Sequence, residues 1–132
     1  PPNTFSVDEF EEVLSEYFMA LIVQLKGSIH DEKDWQPEAD RWALQLHDII
    51  YRLEKKAFSL GFYMSLGLGS GECKLCEICA AAEGIKICQH PGEARPSLEG
   101  MGIDVFSLCR AVELPIEFIP GEISAVGLLL ID

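Results

Sequence analysis

The stretch that decides the fold is residues 19–69, MALIVQLKGSIHDEKDWQPEADRWALQLHDIIYRLEKKAFSLGFYMSLGLG. Residues 19–25 form a nearly continuous apolar run, which is typical of a strand buried on both faces. Residues 62–69 alternate between bulky and small side chains, and this period of two predicts a second strand. A strand, a long helix and a second strand in this order predict a βαβ unit with parallel strands.

The helix between these strands is predicted to begin near Pro37 and to end before Gly61. Proline is tolerated in a first helical turn, and glycine is favoured just beyond a last one. The apolar positions of this segment follow helical spacing at Ala39, Trp42, Leu46, Ile49, Leu53, Ala57 and Leu60. His47 lies on the same helix, and we expect its side chain to reach solvent or a carboxylate.

Two shorter helices are predicted from their caps. Ser6 precedes an apolar-periodic run, and Glu9 stands three residues later, which is the pattern of a capping box. Asp104 is expected to cap a helix that runs to about Glu113. A further short helix is plausible over residues 76–82, within a region rich in glycine and proline.

Residues 125–131, AVGLLLI, predict a final strand, and its apolar character on both faces indicates a place inside the sheet. We therefore predict one α/β domain over residues 1–132: a small mixed sheet with a βαβ unit, flanking helices and a cysteine-rich metal-binding loop. The chain starts at Pro1 without a methionine, so we expect that a natural N-terminal segment precedes it.

Composition limits the classes of partner. The 132 residues are 48% apolar, enough to close a hydrophobic core. Ten Lys and Arg against 22 Asp and Glu give a formal net charge of −12, which repels nucleic acid and anionic membrane surfaces. We expect neither as a partner, and no apolar run reaches the roughly 20 residues of a membrane-spanning helix. The acidic surface suits docking on a basic patch of a redox partner protein, or it keeps the chain soluble.

Four cysteines carry the strongest chemical signal: Cys73, Cys76 and Cys79 in C-x-x-C-x-x-C spacing, followed by Cys88. Thiolates spaced so closely can converge from one loop onto a single metal centre. A disulfide framework would spread an even number of cysteines along a short secreted chain, whereas this chain has five and bunches four. The pattern favours reduced thiols that hold a metal in the cytoplasm.

The spacing indicates a [4Fe–4S] cluster, in which each of four irons needs a thiolate. Two-residue gaps form tight turns whose amides point toward the inorganic sulfides. Nearby glycines allow the backbone to approach such a centre closely. Zinc is the alternative, because a tetrahedral site of four thiolates tolerates several spacings, although two separated C-x-x-C pairs are its usual form.

Other interpretations of the same region are weaker. His90 follows Cys88 closely and is an alternative ligand, but a loop role is commoner for such a histidine. Cys109 lies in a predicted helix, where an isolated cysteine usually packs as a small apolar residue. A c-type haem needs a histidine directly after a C-x-x-C pair, and Glu77 and Ala80 occupy those positions. A third cysteine in the run argues against a thioredoxin-like dithiol.

Arg95 and Ser97 follow the last cysteine of the run. Arg95 either pairs with the negative charge of a thiolate-bound cluster or bridges to a surface carboxylate. Ser97 is expected to act as an N-cap for the short segment toward Gly100.

The stretches CKLCEIC (residues 73–79), CQHP (88–91), RPS (95–97) and GIDV (102–105) resemble a family of predicted metal-binding proteins from anaerobic microbes, to which no reaction is assigned. The resemblance covers most of the chain. It implies Cys73, Cys76, Cys79 and Cys88 as metal ligands. Members of that family carry another cysteine segment upstream that ends in a Cys-Pro-Pro-like sequence, so the resemblance also implies ligands for a second centre before Pro1.

Two functional hypotheses follow. The first is an electron-transfer or redox-accessory protein with one [4Fe–4S] cluster. The second is an interaction module without redox activity, in which zinc fixes the loop. Catalysis by the chain alone is the weaker interpretation, because the sequence has no phosphate-binding glycine loop, no metalloprotease helix motif and no nucleophile–base pair. The cysteine spacing of radical-forming enzymes, C-x-x-x-C-x-x-C, is not matched.

Overall fold

The computed structural model describes residues 4–30, 32–84 and 87–132, which form helices packed on a three-stranded sheet. The α-helices and strands in chain order are α1 (Val7–Leu14), β1 (Met19–Ser28), α2 (Trp35–Ser59), β2 (Leu66–Leu68), α3 (Val105–Ala111) and β3 (Glu122–Ile131). Short 3-10 helices cover Glu32–Asp34 and Glu99–Met101. The predicted α/β class, with helices beside a small sheet, is confirmed.

The sheet has the strand order β1-β3-β2, and both pairs of neighbours are antiparallel. β1 and β2 therefore run parallel to each other, as predicted for the two strands that a long helix joins, but β3 lies between them. The final strand is inserted in the sheet, also as predicted. The predicted sheet is mixed, with parallel and antiparallel pairs. Parallel pairing is present only as one isolated bridge among the described residues, between Gly69 and Ser97.

The central position of β3 follows from its sequence. Residues 125–130 are all buried, and their side chains alternate between the two faces of the sheet. Val126, Leu128 and Leu130 belong to a core on one face together with Phe10 of α1 and Cys109 of α3. On the other face, Ala125 packs with Leu46 and Ile50 of α2. Only a strand that is apolar on both sides can serve two cores.

The caps predicted for the short helices are present. The Ser6 hydroxyl accepts a hydrogen bond from the Glu9 amide, and the Glu9 carboxylate accepts one from the Ser6 amide at 2.8 Å. The Asp104 carboxylate accepts from the Ser107 amide at 3.2 Å, and α3 ends at Ala111, two residues before the predicted end. These bonds satisfy amides that lack partners in a first helical turn.

Helix α2 begins at Trp35, two residues before Pro37, and ends at Ser59. The predicted C-terminal glycine, Gly61, has a φ of +98°, a conformation that favours glycine at this position. Leu46, Ile50 and Ala57 are the buried residues of the helix. None of the helices in the described ranges has the length and apolar character needed to cross a membrane.

Strand β2 is much shorter than the predicted run of residues 62–69. By the register of β2 against β3, Met64 would face Asp132, which lies beyond the end of β3. Side chains replace the missing ladder: the Met64 amide donates to Asp132 Oδ1 at 3.3 Å, and the Tyr17 hydroxyl donates to the Met64 carbonyl at 2.6 Å. The backbone amide and carbonyl of Met64 thus have hydrogen-bond partners without strand pairing.

Candidate metal centre

The cysteines lie in an excursion that leaves the sheet after β2 and returns before α3. Two backbone hydrogen bonds close its base: Gly69 N donates to Pro96 O at 2.9 Å, and Leu98 N donates to Gly69 O at 3.1 Å. We name residues 70–96 the cysteine loop. The short helix expected over residues 76–82 is absent, and that stretch forms bends and turns. A helix of seven residues is marginal without packing, and exposed Glu77 and Ile78 provide little.

The start of the cysteine loop is fixed to α2 by Lys74. Its Nζ lies 3.4 Å from Asp40 Oδ1 on α2 and 2.7 Å from Glu72 Oε1 within the loop. The hydrogen bond with Glu72 is the main cause that raises the pKa of Lys74 above its ordinary value. The segment that carries the first cysteine is therefore tied to the helix by a charged contact.

Arg95 fixes the end of the loop to the same helix by pairing with a carboxylate, one of the two roles expected for it. Arg95 Nε and Nη2 donate to the two carboxylate oxygens of Glu54 at 2.8 and 2.7 Å. Oε2 of Glu54 also accepts from the Gly67 amide of β2 at 3.1 Å. The pair is half-buried, and this hydrogen bonding raises the pKa of Arg95. One carboxylate thus joins the loop, the helix and the strand.

The small-residue face of β2 packs closely against α2. A methyl group added at Gly67 would lie 2.6 Å from Ile50 Cγ2 and 2.8 Å from Glu54 Oε2. Arg95 Cγ of the cysteine loop would lie at an ordinary contact distance of 3.9 Å. By contrast, a Cβ built at Gly69, Gly71 or Gly84 meets nothing within 4 Å, so open space surrounds these backbone positions in and beside the loop.

All five cysteines have free thiols. The four cysteines of the loop, Cys73, Cys76, Cys79 and Cys88, are partly exposed. Cys109 of α3 is completely buried in the hydrophobic core, as predicted for a packing residue. Burial is the main cause that raises the pKa of Cys76, and the charges of Cys79, Cys73 and Cys88 raise it further.

The arm that carries Cys88 folds back toward the first three cysteines. The side-chain oxygen of Gln89 lies 4.0 Å from the Cys76 sulfur, and the His90 amide donates to the Cys88 sulfur at 3.4 Å. The His90 carbonyl accepts from the amides of Glu93 and Ala94 in a tight turn. His90 thus contributes backbone contacts to this turn, and its side chain is exposed.

The donor set fits a centre that prefers sulfur, because four thiols occur on one short anchored loop with free space around its glycines. Within the described residues, however, no three side chains of His, Cys, Asp or Glu are gathered tightly enough to hold a metal ion. The structure places Gln89, the neighbour of Cys88, beside Cys76, and it does not place the described cysteines in coordination geometry.

His47 is a residue whose surroundings the sequence did not indicate. It is half-buried and lines a small cavity between α2 and the loop, together with Cys73, Lys74 and Arg95. Its Nε2 is buried and has no hydrogen-bond partner in the described part of the chain, so this atom reaches neither solvent nor a carboxylate, although the residue is partly exposed. Burial lowers the pKa of His47, and interaction with the Glu93 backbone opposes this in part. The helical spacing of apolar residues predicts that His47 lies on α2, but it does not indicate which residues pack over the side chain.

The remaining predicted polar residues have structural roles. Ser97 Oγ accepts from the Gly100 amide at 3.0 Å, so it caps the following 3-10 turn as expected. Asp104 is held by Ser107, whose hydroxyl and amide both donate to it and lower its pKa. Glu54 and Asp40, the two carboxylates that hold the loop, could not be assigned from sequence, because neither stands near its partner along the chain.

Searches of curated proteins and of solved structures return no match for this chain. A family model described as "Predicted metal-binding protein (DUF2284)" matches residues 1–131. This agrees with the metal-binding family that the cysteine stretches resemble, and the description names neither a metal nor a source organism. The match spans nearly the whole sequence, and the chain therefore belongs to this family of predicted metal-binding proteins.

Proposed function

We propose that the chain binds one [4Fe–4S] cluster through Cys73, Cys76, Cys79 and Cys88 and acts in electron transfer or as a redox accessory in the cytoplasm. The observation that carries the proposal is that Gln89, the neighbour of Cys88, lies 4.0 Å from the Cys76 sulfur on a loop whose two ends are held to α2. Such a cluster, when bound, supplies a site that gains and loses one electron. Membership in a metal-binding family supports the coarser part of the proposal.

The chain's own residues supply the ligands and the mechanical support. Lys74 and Arg95 hold the two ends of the loop to α2, so the thiols need to adjust only within a segment of fixed ends. Gly71 and Gly84 have φ values of +65° and +78°, which allow tight turns between the ligand positions. The His90 amide already faces the Cys88 sulfur, the kind of contact that stabilises a thiolate ligand.

The acidic surface supports a protein partner for electron exchange. The net charge of −12 favours a partner that presents a basic patch, and it would accelerate encounter at low ionic strength. In this proposal, the partner carries out the chemistry of the system and the chain exchanges electrons with it.

A structural zinc site is the second candidate. The observation that favours it is the loop's lack of its own regular structure: residues 70–84 and 87–96 contain no helix or paired strand. A loop of this kind gains order when four thiolates close on one ion. In this case the metal would stabilise a surface for interaction and would carry no electron.

The deciding experiment is anaerobic isolation of the protein, followed by measurement of iron, acid-labile sulfide and zinc. The proposal requires about four iron and four sulfide per chain, with an electron paramagnetic resonance signal in one of the two redox states. Cys88→Ser should lower the iron content strongly, whereas the matched Cys109→Ala should retain it. A colourless protein with one zinc per chain would reject the iron–sulfur proposal and support the structural one.

A further inference from the structure

A groove of about 610 Å³ lies away from the cysteines, between the first turn of α3, residues 116–119 and the start of β3. Its apolar walls include Ile103, Val105, Phe106, Ile116, Phe118 and Val126. We name it the acidic groove, for its four carboxylates described below. Its volume lies in the range of sites that take small organic ligands, and such sites combine apolar walls with a few polar groups.

Two aromatic rings form one wall of the acidic groove. Phe106 and Phe118 stack with 5.6 Å between ring centroids and 29° between ring planes. Phe106 is 46% exposed and Phe118 is 85% exposed. Exposed aromatic faces of this kind attract apolar groups and cations, since the ring face is electron-rich.

Four carboxylates line the same groove: Glu99, Asp104, Glu117 and Glu122. Asp104 is used by the cap of α3, and its hydrogen bonds with Ser107 keep it ionised. The other three form no ion pair among the described residues. Among the described residues, no Lys, Arg or His lines the groove. The nearby cation Arg110 donates to Ser107 and acts on Asp104, so the local charge of the other three carboxylates is the part that a ligand would meet.

We propose that the acidic groove binds a small amphipathic organic amine, with an apolar or aromatic body on the stacked phenylalanines and an ammonium group beside Glu117 and Glu122. The walls match the body of such a ligand, and the carboxylates together with the face of Phe118 match its charge. An anionic ligand would meet four carboxylates and the charge of the whole chain, so the groove excludes it.

The acidic groove reaches the base of the cysteine loop at Ser70, which lines both this groove and the smaller cavity beside Cys73. A bound amine would therefore lie next to the segment that leads into the loop. The proposal does not depend on a metal, because every residue that it uses lies outside the four cysteines. An experiment can therefore reject amine binding in the groove without rejecting the iron–sulfur proposal, and the reverse also holds.

Three compounds with the same phenylbutyl body test the charge requirement: 4-phenylbutylamine, 4-phenylbutanol and 4-phenylbutyrate. Affinity is measured at pH 7 by calorimetric titration, and the site is located by amide chemical-shift changes on the whole protein. We expect the amine to bind most tightly, the alcohol more weakly and the acid most weakly. The shifts should concentrate on residues 103–106 and 116–119. Added salt should lower the affinity for the amine and leave the affinity for the alcohol unchanged.

Substitutions test the assigned residues. The double variant Glu117→Gln and Glu122→Gln should lower amine affinity about two- to fivefold for each carboxylate, the range of exposed ion pairs, without changing alcohol binding. Phe118→Ala should weaken both compounds, and its fold should survive because the ring is exposed. The control is Glu11→Gln with Glu12→Gln, which removes equal charge from exposed positions of α1.

Equal affinity for the amine and the alcohol would overturn the proposal. Equal losses of amine affinity in the two double variants would also overturn it, because the effect would then come from the general charge of the chain. Binding of a basic amphipathic peptide in the groove, with no binding of any of the three compounds, would also overturn it and assign the surface to a protein partner.

Discussion

Arg95 and Glu54 form a two-point ion pair, with Nε to Oε2 at 2.8 Å and Nη2 to Oε1 at 2.7 Å. The two side chains are only 14% and 19% exposed, so solvent screens the pair weakly. Because Glu54 also accepts from the Gly67 amide, the pair connects the end of the cysteine loop to the centre of the fold. Its geometry is the planar two-bond form that arginine makes with carboxylates.

Removal of the Glu54 charge should therefore destabilise the protein. Glu54→Gln keeps the shape but leaves the largely buried guanidinium of Arg95 without a counter-charge, and we expect a loss of about 2–3 kcal/mol in the free energy of unfolding. Urea unfolding by circular dichroism measures it.

The matched control is Asp48→Asn, which breaks the exposed pair of Asp48 with Arg52 on the same helix. Exposed pairs of this kind contribute about 0.5 kcal/mol or less. If Glu54→Gln proves no more costly than the control, the connection does not stabilise the fold.

A second prediction concerns close packing between β1 and α2. A methyl group added at Gly27 would overlap Cε2 and Cζ2 of the Trp42 indole ring. Alanine is favoured over glycine in a strand by backbone entropy, but the overlap opposes that gain. We expect Gly27→Ala to destabilise the protein by about 1–3 kcal/mol, as overpacking does in other cores.

Two variants make this measurement specific to the indole. Gly92→Ala is the control, because a Cβ built there meets nothing within 4 Å. Trp42→Leu should remove most of the additional cost of Gly27→Ala, since the clashing ring is gone. An undiminished cost in the Trp42→Leu background would show that the strain lies elsewhere.

The parts of the fold that sequence predicted depend on short-range chemistry. The capping box of Ser6 and Glu9 and the cap by Asp104 act within three residues, and the two-sided apolar run of β3 fixes its central place. The cysteine loop itself was predicted from spacing alone. Each of these signals is complete within its own segment.

The parts that sequence could not predict depend on partners far along the chain. The identity and register of the strands that flank β3 follow from pairings such as Ile22 with Leu128. The early end of β2 follows from the Met64 contacts to Tyr17 and Asp132. At the candidate site, the environment of His47 is set by a loop that starts more than twenty residues later. Local patterns carry no information on these contacts.

Alkaline pH should weaken the fold through Tyr17. Burial, then the charge of Asp132, raises the pKa of the Tyr17 hydroxyl above 10, and the hydroxyl donates to the Met64 carbonyl. In the unfolded chain this tyrosine loses its proton near pH 10, while in the folded chain it keeps it. The unfolded state is therefore favoured as pH rises through 10, and stability falls.

The Tyr17→Phe variant isolates this effect. At pH 7 it should lose about 1 kcal/mol for the missing hydrogen bond. Its disadvantage against the wild type should shrink between pH 9.5 and 11, as measured by urea unfolding at each pH. A constant difference across that range would mean that Tyr17 ionises equally in both states.

The five cysteines should separate into two classes by chemical reactivity. In reduced, metal-free protein, iodoacetamide should modify Cys73, Cys76, Cys79 and Cys88 in the folded state, because all four are partly exposed. Cys76 should react more slowly than the other three, because its pKa is raised. Cys109 is completely buried and its pKa is raised by burial, so it should react only after unfolding. Mass spectrometry of peptides counts the modified sites.

Metal loading should protect the four cysteines of the loop together and leave Cys109 unchanged, because a thiolate bound to a metal is not free to attack an alkylating agent. Cys109→Ala provides the control: it should be slightly less stable, with the same four protected sites. If Cys88 stays reactive when the other three cysteines are protected, the fourth ligand is a different residue. The exposed His90 beside it is then the first position to substitute, and the protection experiment is repeated with His90→Ala.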